Sequence, residues 1–290
     1  MKIQPLPERA PLGWRRPAPA ETEVYRMPLS LFSNGVIAYI CFVVLLAGGF
    51  AGSALNCYAW RREKGESWAK GRSHCDVCGH VLGLVDLIPV FGYIIRKGRC
   101  AYCGAKLDSG HLWAEILSSL VFLSVPLKFG ISIQTAEYIA LAIILIGVSL
   151  CDLHGYIIPD GFIIAGLVLC LLFLFIEGFS WKAFLDIIIG AVSVSAVLLV
   201  CVLVAEKIMK KDAMGGGDVK LLALTGAFLG WKLNVLCLLL ACVIGIIVGA
   251  VLMKKRGASR AFPWGPSIAA AAWLTLLFGQ PLLDWYLGLF

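Results

Sequence analysis

Six residues carry the chemistry open to this sequence. Asp152 stands in CDLHGYIIPD and Asp218 in MGGGDVK, each at the edge of an apolar run. Cys75, Cys78, Cys100 and Cys103 form two CxxC pairs, in SHCDVCGH and GRCAYCGA, separated by residues 79–99. Two carboxylates that meet in a partly dry site cannot both ionise easily, so one keeps a proton. The ionised member can take a proton from water while the protonated one hydrogen-bonds a carbonyl. This is the aspartic-protease condition and needs no bound cofactor. Paired CxxC turns supply four thiolates for one structural zinc ion, and Gly79 and Gly104, just after the second cysteines, suit the tight turn of each knuckle.

These residues must be positioned by membrane helices. Hydrophobic residues make up 60% of the chain and charged residues 15%, more apolar surface than a water-soluble fold can cover. A spanning helix needs roughly 20 apolar residues. Clear spans run over 33–55, 131–150, 183–205 and 233–253; shorter or interrupted ones cover 112–127, 161–176, 219–230 and 266–278. The expected fold is an all-α polytopic membrane protein of about eight transmembrane helices, with a small zinc-binding insertion between the first two. Residues 1–32 read as a disordered tail rich in proline and charge, with Met27 an expected translation start. Residues 33–56 form the first helix, 57–111 the four-cysteine module, and 112–290 the transmembrane domain carrying both aspartates.

Charge sets the orientation. The insertion holds Arg61, Arg62, Lys64, Lys70, Arg72, Arg96, Lys97, Arg99 and Lys106, which makes it cytosolic by the positive-inside rule. Alternation then brings segments 152–160, 206–218 and 254–256 to the same side and leaves Lys128, Lys182 and Lys232 opposite. The five Lys/Arg of residues 1–26 dissent, unless Met27 is the start. Orientation therefore accounts for the net charge of +7 without a nucleic-acid partner. A cytosolic module is also reducing, which favours metal ligation over disulfides. The other seven cysteines lie singly in or beside apolar runs and read as small core residues.

Each aspartate also has a plainer reading. Asp152 ends an apolar helix whose C-terminal carbonyls repel negative charge, so capping is the wrong electrostatics there, although a solvated turn residue stays open. Asp218 opens a helix and could be an ordinary N-terminal cap. Against that, Gly215, Gly216 and Gly217 remove three side chains and let a substrate backbone approach. The dipole of the helix after Asp218 favours its carboxylate and the negative end before Asp152 favours protonation, which makes Asp218 the expected base, with exchange of the two roles through the cycle left open. Asp160 follows Pro159 and reads as a cap that shapes the site, together with Lys220. His154 reads as an interfacial loop residue, and packing suffices for Glu115, Asp186 and Asp284. Neither HExxH nor a serine or cysteine nucleophile paired with histidine is present among the membrane segments.

Taken in order, these segments resemble the bacterial prepilin leader peptidases. GSALNCYAWR at 52–61 is similar to that family's GSFLN segment with its trailing arginine. DLIPV at 86, the paired CxxC module, Glu115, IIPD at 157 and MGGGDVK at 214 follow in family order. GHLWAE lacks the usual tyrosine and proline before its glutamate, and DLIP replaces DNIP. The resemblance implies that Asp152 and Asp218 are the catalytic pair of a protease in the bacterial inner membrane. Its substrates would be prepilins or pseudopilins, cut at the cytosolic face between a basic leader ending in glycine and an apolar helix. It also implies N-methylation of the new N-terminus by S-adenosylmethionine, for which the chain carries no GxGxxG fingerprint. Two other classes stay open on the residues alone: an ion-coupled transporter with paired intramembrane carboxylates, and a zinc-containing pilus-assembly adaptor without catalysis. Oligomeric state is not encoded in these motifs.

Overall fold

The computed structural model describes residues 27–67, 71–75, 77–83, 85–210, 214–256 and 262–289. Residues 1–26, most of the expected tail, lie outside the described residues. Residues 27–32 join the fold, because Met27 and Ile131 exchange backbone hydrogen bonds (3.1 and 3.0 Å) and Leu29–Leu31 form a 3-10 turn.

Among the described residues eight α-helices follow: α1 (Asn34–Glu63), α2 (Phe91–Ile95), α3 (Ser109–Phe129), α4 (Ile133–Gly155), α5 (Asp160–Ile176), α6 (Trp181–Met209), α7 (Gly216–Arg256) and α8 (Gly265–Leu287). Among the described residues, α1, α3, α4, α6, α7 and α8 are long and apolar enough to cross a membrane, while α5 is apolar but shorter. The chain is thus an all-helical, multi-pass membrane protein, as the apolar runs indicate.

The longest helix is two. At Gly230 the backbone leaves helical geometry (φ 74°, ψ 169°). Asn234 then reaches back, its Nδ2 donating to Leu222 O (3.0 Å) and its Oδ1 accepting from Thr225 Oγ1 (2.9 Å). Twelve residues of straight helix would separate these groups by about 18 Å. The arms 216–229 and 231–256 therefore fold back on each other, and the apolar runs at 219–230 and 233–253 become an antiparallel pair. Counting both arms and leaving out the single-turn α2, eight helical segments appear in the expected order.

Small residues let the helices approach closely, as they do where no hydrophobic force draws apolar helices together in lipid. Gly48 and Gly52 of α1 lie against Ser118 and Ala114 of α3. Gly190 of α6 meets Gly226 of α7 so tightly that a Cβ on either would collide with the other's carbonyl oxygen. The shared core runs from Leu141, Leu145 and Val148 of α4 through Leu221, Leu222 and Leu224 of α7 to Ile268 and Ala272 of α8. Large apolar side chains such as Ile164, Val197 and Leu239 point outward, which suits lipid as the surrounding solvent.

Candidate active site

Asp152 lies in the last turn of α4, which stops at Gly155 because Tyr156 adopts the left-handed conformation and returns its amide to Asp152 O (3.0 Å). The side chain is only 5% exposed. Its Oδ2 accepts a hydrogen bond from Gly265 N (2.8 Å), the first residue of α8. Pro266 follows, and proline is at home in a helix's first turn, where its missing N–H is not needed. A helix N-terminus aimed at a carboxylate is a favourable anion site. Gly265 is required by the approach, since a Cβ there would sit 2.7 Å from Asp152 Oδ2.

Asp218 is the third residue of α7, half-buried, with its own amide donating to Gly215 O (3.2 Å). The three glycines before it differ in what surrounds them. A Cβ on Gly217 would lie 2.9 Å from Ile158 Cβ, so this glycine nests the GGGD turn against the IIPD turn. Gly215 lies beside the Asp218 carboxylate, and Gly216 faces open space. Asp152, Asp218, Tyr156, Ile158, Gly215 and Gly217 line one cleft of about 300 Å³. Two carboxylates from separate helix ends, 66 positions apart in sequence, thus face the same space. At its rim Lys220 Nζ pairs with Asp160 Oδ1 (2.7 Å), both mostly exposed. Such a pair adds little stability but sets the charge at the entrance.

The geometry changes one expectation. Helix dipoles singled out Asp218 as the base because α4 presents Asp152 with its negative end. The N-terminus of α8 supplies the opposite pole and a donor to that same carboxylate, so the dipole contrast is absent from the folded chain.

A second feature escaped sequence reading. Asn56 of α1, 4% exposed, has Nδ2 at 2.7 Å from His111 Nδ1 and Oδ1 at 3.2 Å from His154 Nε2. In this orientation His111 Nδ1 accepts from the amide and His154 Nε2 donates to it. His154 Nδ1 lies 3.4 Å from Glu63 Oε2. One amide therefore ties α1, α3 and α4 together two residues from Asp152, and His154 is a buttress rather than a free loop residue. The available signal was an asparagine at the end of the apolar run GSAL. Asn56→Leu should orphan both imidazoles and destabilise the fold by about 1–3 kcal/mol, read as a lower unfolding temperature in detergent.

The four cysteines converge as the spacing predicts. Their sulfurs lie within 4.8 Å of one another, and Cys75 Sγ is 3.8 Å from Cys103 Sγ. Ideal tetrahedral Zn–S bonds of about 2.3 Å place sulfurs about 3.8 Å apart. The two knuckles repeat one pattern: Gly79 N bonds to Cys75 O and Gly104 N to Cys100 O, with φ 70° at both glycines. The amides of Cys78 and Val77 lower the Cys75 thiol to about 7. The Ala105 amide favours the Cys103 thiolate, but desolvation and three neighbouring thiols push it up to about 11. Four such groups cannot all ionise without a cation among them, so the donor set fits a divalent metal. Arg61, buried at the end of α1, tethers the module by donating to the carbonyls of Ser67, Gly71 and Arg72 (3.4, 3.5 and 3.4 Å). Cys100→Ser should drop bound zinc well below one per chain by elemental analysis and open residues 71–107 to protease, because metal binding supplies the folding energy of so small a module.

Residues 46–129 match the family described as Bacterial Peptidase A24 N-terminal domain, and residues 139–250 match the Type IV leader peptidase family. Curated relatives named prepilin leader peptidase/N-methyltransferase include one from Pseudomonas putida, 32% identical over 213 residues that cover 72% of this chain and 73% of that protein. Another, from Aeromonas hydrophila, is 31% identical over 218 residues, 74% of each. A third, from Bacillus subtilis strain 168, is 29% identical over 219 residues, 74% of this chain and 85% of that one. No solved structure matches the chain.

Proposed function

The chain belongs to the type IV leader peptidase family, and on that premise we propose that it is an intramembrane aspartyl endopeptidase with Asp152 and Asp218 as its catalytic pair. The observation that carries the proposal is their convergence: carboxylates at the end of α4 and the start of α7 line one cleft, walled by glycine and open at the Lys220–Asp160 rim. One carboxylate takes a proton from the attacking water. The other donates a hydrogen bond to the scissile carbonyl as the tetrahedral intermediate forms, and then gives its proton to the leaving amine. The first now holds the proton, so the roles exchange through the cycle and belong to the pair rather than to either residue.

Both aspartates sit at helix ends, at the membrane surface rather than its midplane. A peptide bond just before an apolar helix would reach this level when that helix lies in the bilayer beside α4 and α7. Prepilins or pseudopilins, with a basic leader, a glycine and then such a helix, fit that geometry. The charge distribution supports a cytosolic location of the cleft and the cysteine module at a bacterial inner membrane. Zinc held by Cys75, Cys78, Cys100 and Cys103 would be structural. N-methyl transfer is carried over from the relatives' names, and S-adenosylmethionine as its donor from the sequence resemblance. Asp86, Asp108 and Glu115, the carboxylates in the cleft between the module, α1 and α3, are all engaged, by Gly83 N and Arg96, by Gly110 N and by Val90 N respectively. No residue is therefore assigned to the methyl donor.

The test is cleavage of a model prepilin by the purified chain in nanodiscs, with products identified by mass. A single cut after the glycine is expected. An intact substrate, with proton or ion flux on reconstitution into liposomes, would give the transporter reading the lead.

A further inference from the structure

Residues 87–95, LIPVFGYII, lie inside what the sequence presents as a cytosolic module, yet the fold packs Pro89 beside the apolar runs of α1 and α3. A Cβ on Gly49 of α1 would sit 2.8 Å from Pro89 Cβ and 3.1 Å from Ser119 Oγ of α3. The apolar run of α1 continues to Leu55, so Pro89 packs about 9 Å inside its end. α3 gives the same level: Ser119 lies seven residues into the apolar run that starts at Leu112, and its Oγ donates to Leu45 O (2.9 Å). The segment goes down and comes back. Asp86 and Arg96 close its neck with an ion pair (2.6 Å), and Val90 makes its turn at φ 64°, a conformation β-branched residues rarely adopt.

Hydrocarbon tolerates irregular backbone only where its polar groups are satisfied within the protein. Most amides of this segment meet that condition. Ile88 N donates to Val85 O, Phe91 N to Pro89 O, Gly92 N to Ile88 O, Ile94 N to Val90 O and Arg96 N to Gly92 O. Pro89 has no amide hydrogen, and Val90 N is taken by Glu115 Oε2 (2.7 Å). The side chains show the opposite preference: Ile88, Phe91, Ile94 and Ile95 are 39, 52, 60 and 57% exposed. Lys97 and Arg99, both exposed, follow directly where the chain returns, at headgroup level.

We infer that residues 87–95 form a re-entrant segment whose outward face, Ile88, Phe91, Ile94 and Ile95, is covered by the acyl chains of the module's leaflet. Lys97 and Arg99 meet the lipid phosphates. The cysteine module is thereby held against the bilayer by lipid as well as by Arg61. The inference rests on α1 and α3 spanning the membrane and is independent of the aspartyl chemistry.

The experiment places the full chain in nanodiscs containing a phospholipid with a diazirine midway along one acyl chain, and maps photo-adducts by peptide mass spectrometry. Adducts are expected at Phe91, Ile94 and Ile95 in yield within about threefold of that on Tyr39 and Phe42 of α1, with none above background on 71–83. Hydroxyl-radical labelling should show the reverse, with Val77 and Tyr102 modified and the three residues protected. Gly49→Val, which displaces Pro89, should remove the segment's adducts while α1 keeps its own. Adducts on α1 but none on 87–95, or radical labelling of Phe91 and Ile94 equal to that of Val77, would overturn the inference. Absence of adducts on α1 as well would remove its membrane premise and the inference with it.

Discussion

Asp152→Asn and Asp218→Asn should each lower cleavage of a model prepilin by about 10²–10⁴-fold or more, because each removes one half of a proton exchange that neither carboxylate completes alone. An amide can still donate or accept a hydrogen bond, so both variants should fold and bind substrate, and the loss should fall on kcat. The double variant should be little slower than either single one, since residues acting as a unit are strongly non-additive. Asp152→Asn also tests the contact with α8. If the asparagine turns its amide oxygen to Gly265 N, the unfolding temperature stays near that of the unaltered chain while activity is gone. Near-normal cleavage by either variant would reduce that residue to a helix-end group and leave the cleft without its acid–base pair.

The plan of the fold was legible where the sequence repeats a physical constraint along its length. Apolar runs must be helices in lipid, and they are. The paired CxxC turns needed only local geometry, and their glycines take the positive φ that the knuckle demands. Local signals also located both aspartates at helix ends. What they could not give was the partner each side chain meets from a distant element. Gly265 is 113 positions from Asp152 and Asn56 is 98 from His154, so neither contact leaves a periodic trace. WGPS at 264–267 does announce a helix start, but not which carboxylate that start faces. The dipole reading of Asp152 is incomplete for this reason: it counts the helix the residue sits on and omits the one it points at. The reversal at Gly230 is similar. One short run and one full span are visible, and their back-to-back pairing rests on Asn234 reaching Leu222.

Gly226→Ala and Gly190→Ala should be the most damaging single-methyl changes outside the cleft. Each adds a Cβ against a backbone carbonyl of the facing helix, which cannot swing aside as a side chain could. Overpacking of this kind typically costs about 1–3 kcal/mol, and a backbone collision belongs at the upper end. A methyl elsewhere has the opposite sign: Gly161 of α5 has nothing within 4 Å, so Gly161→Ala should be neutral or stabilising. The comparison sets propensity against packing, because all three substitutions replace a helical glycine and only two of them meet a facing backbone. It also reaches the chemistry. Gly226 is eight residues, about 12 Å, along the same arm of α7 that begins with Gly217 and Asp218. That arm is held by α6 on one side and by the Gly217–Ile158 contact at its end. Displacing it at Gly226 should tilt Asp218 away from Asp152, so activity should fall more than the loss of folded protein explains when both are measured on one detergent preparation. An unfolding temperature for Gly226→Ala equal to that of Gly161→Ala would mean that α6 and α7 do not cross at these glycines.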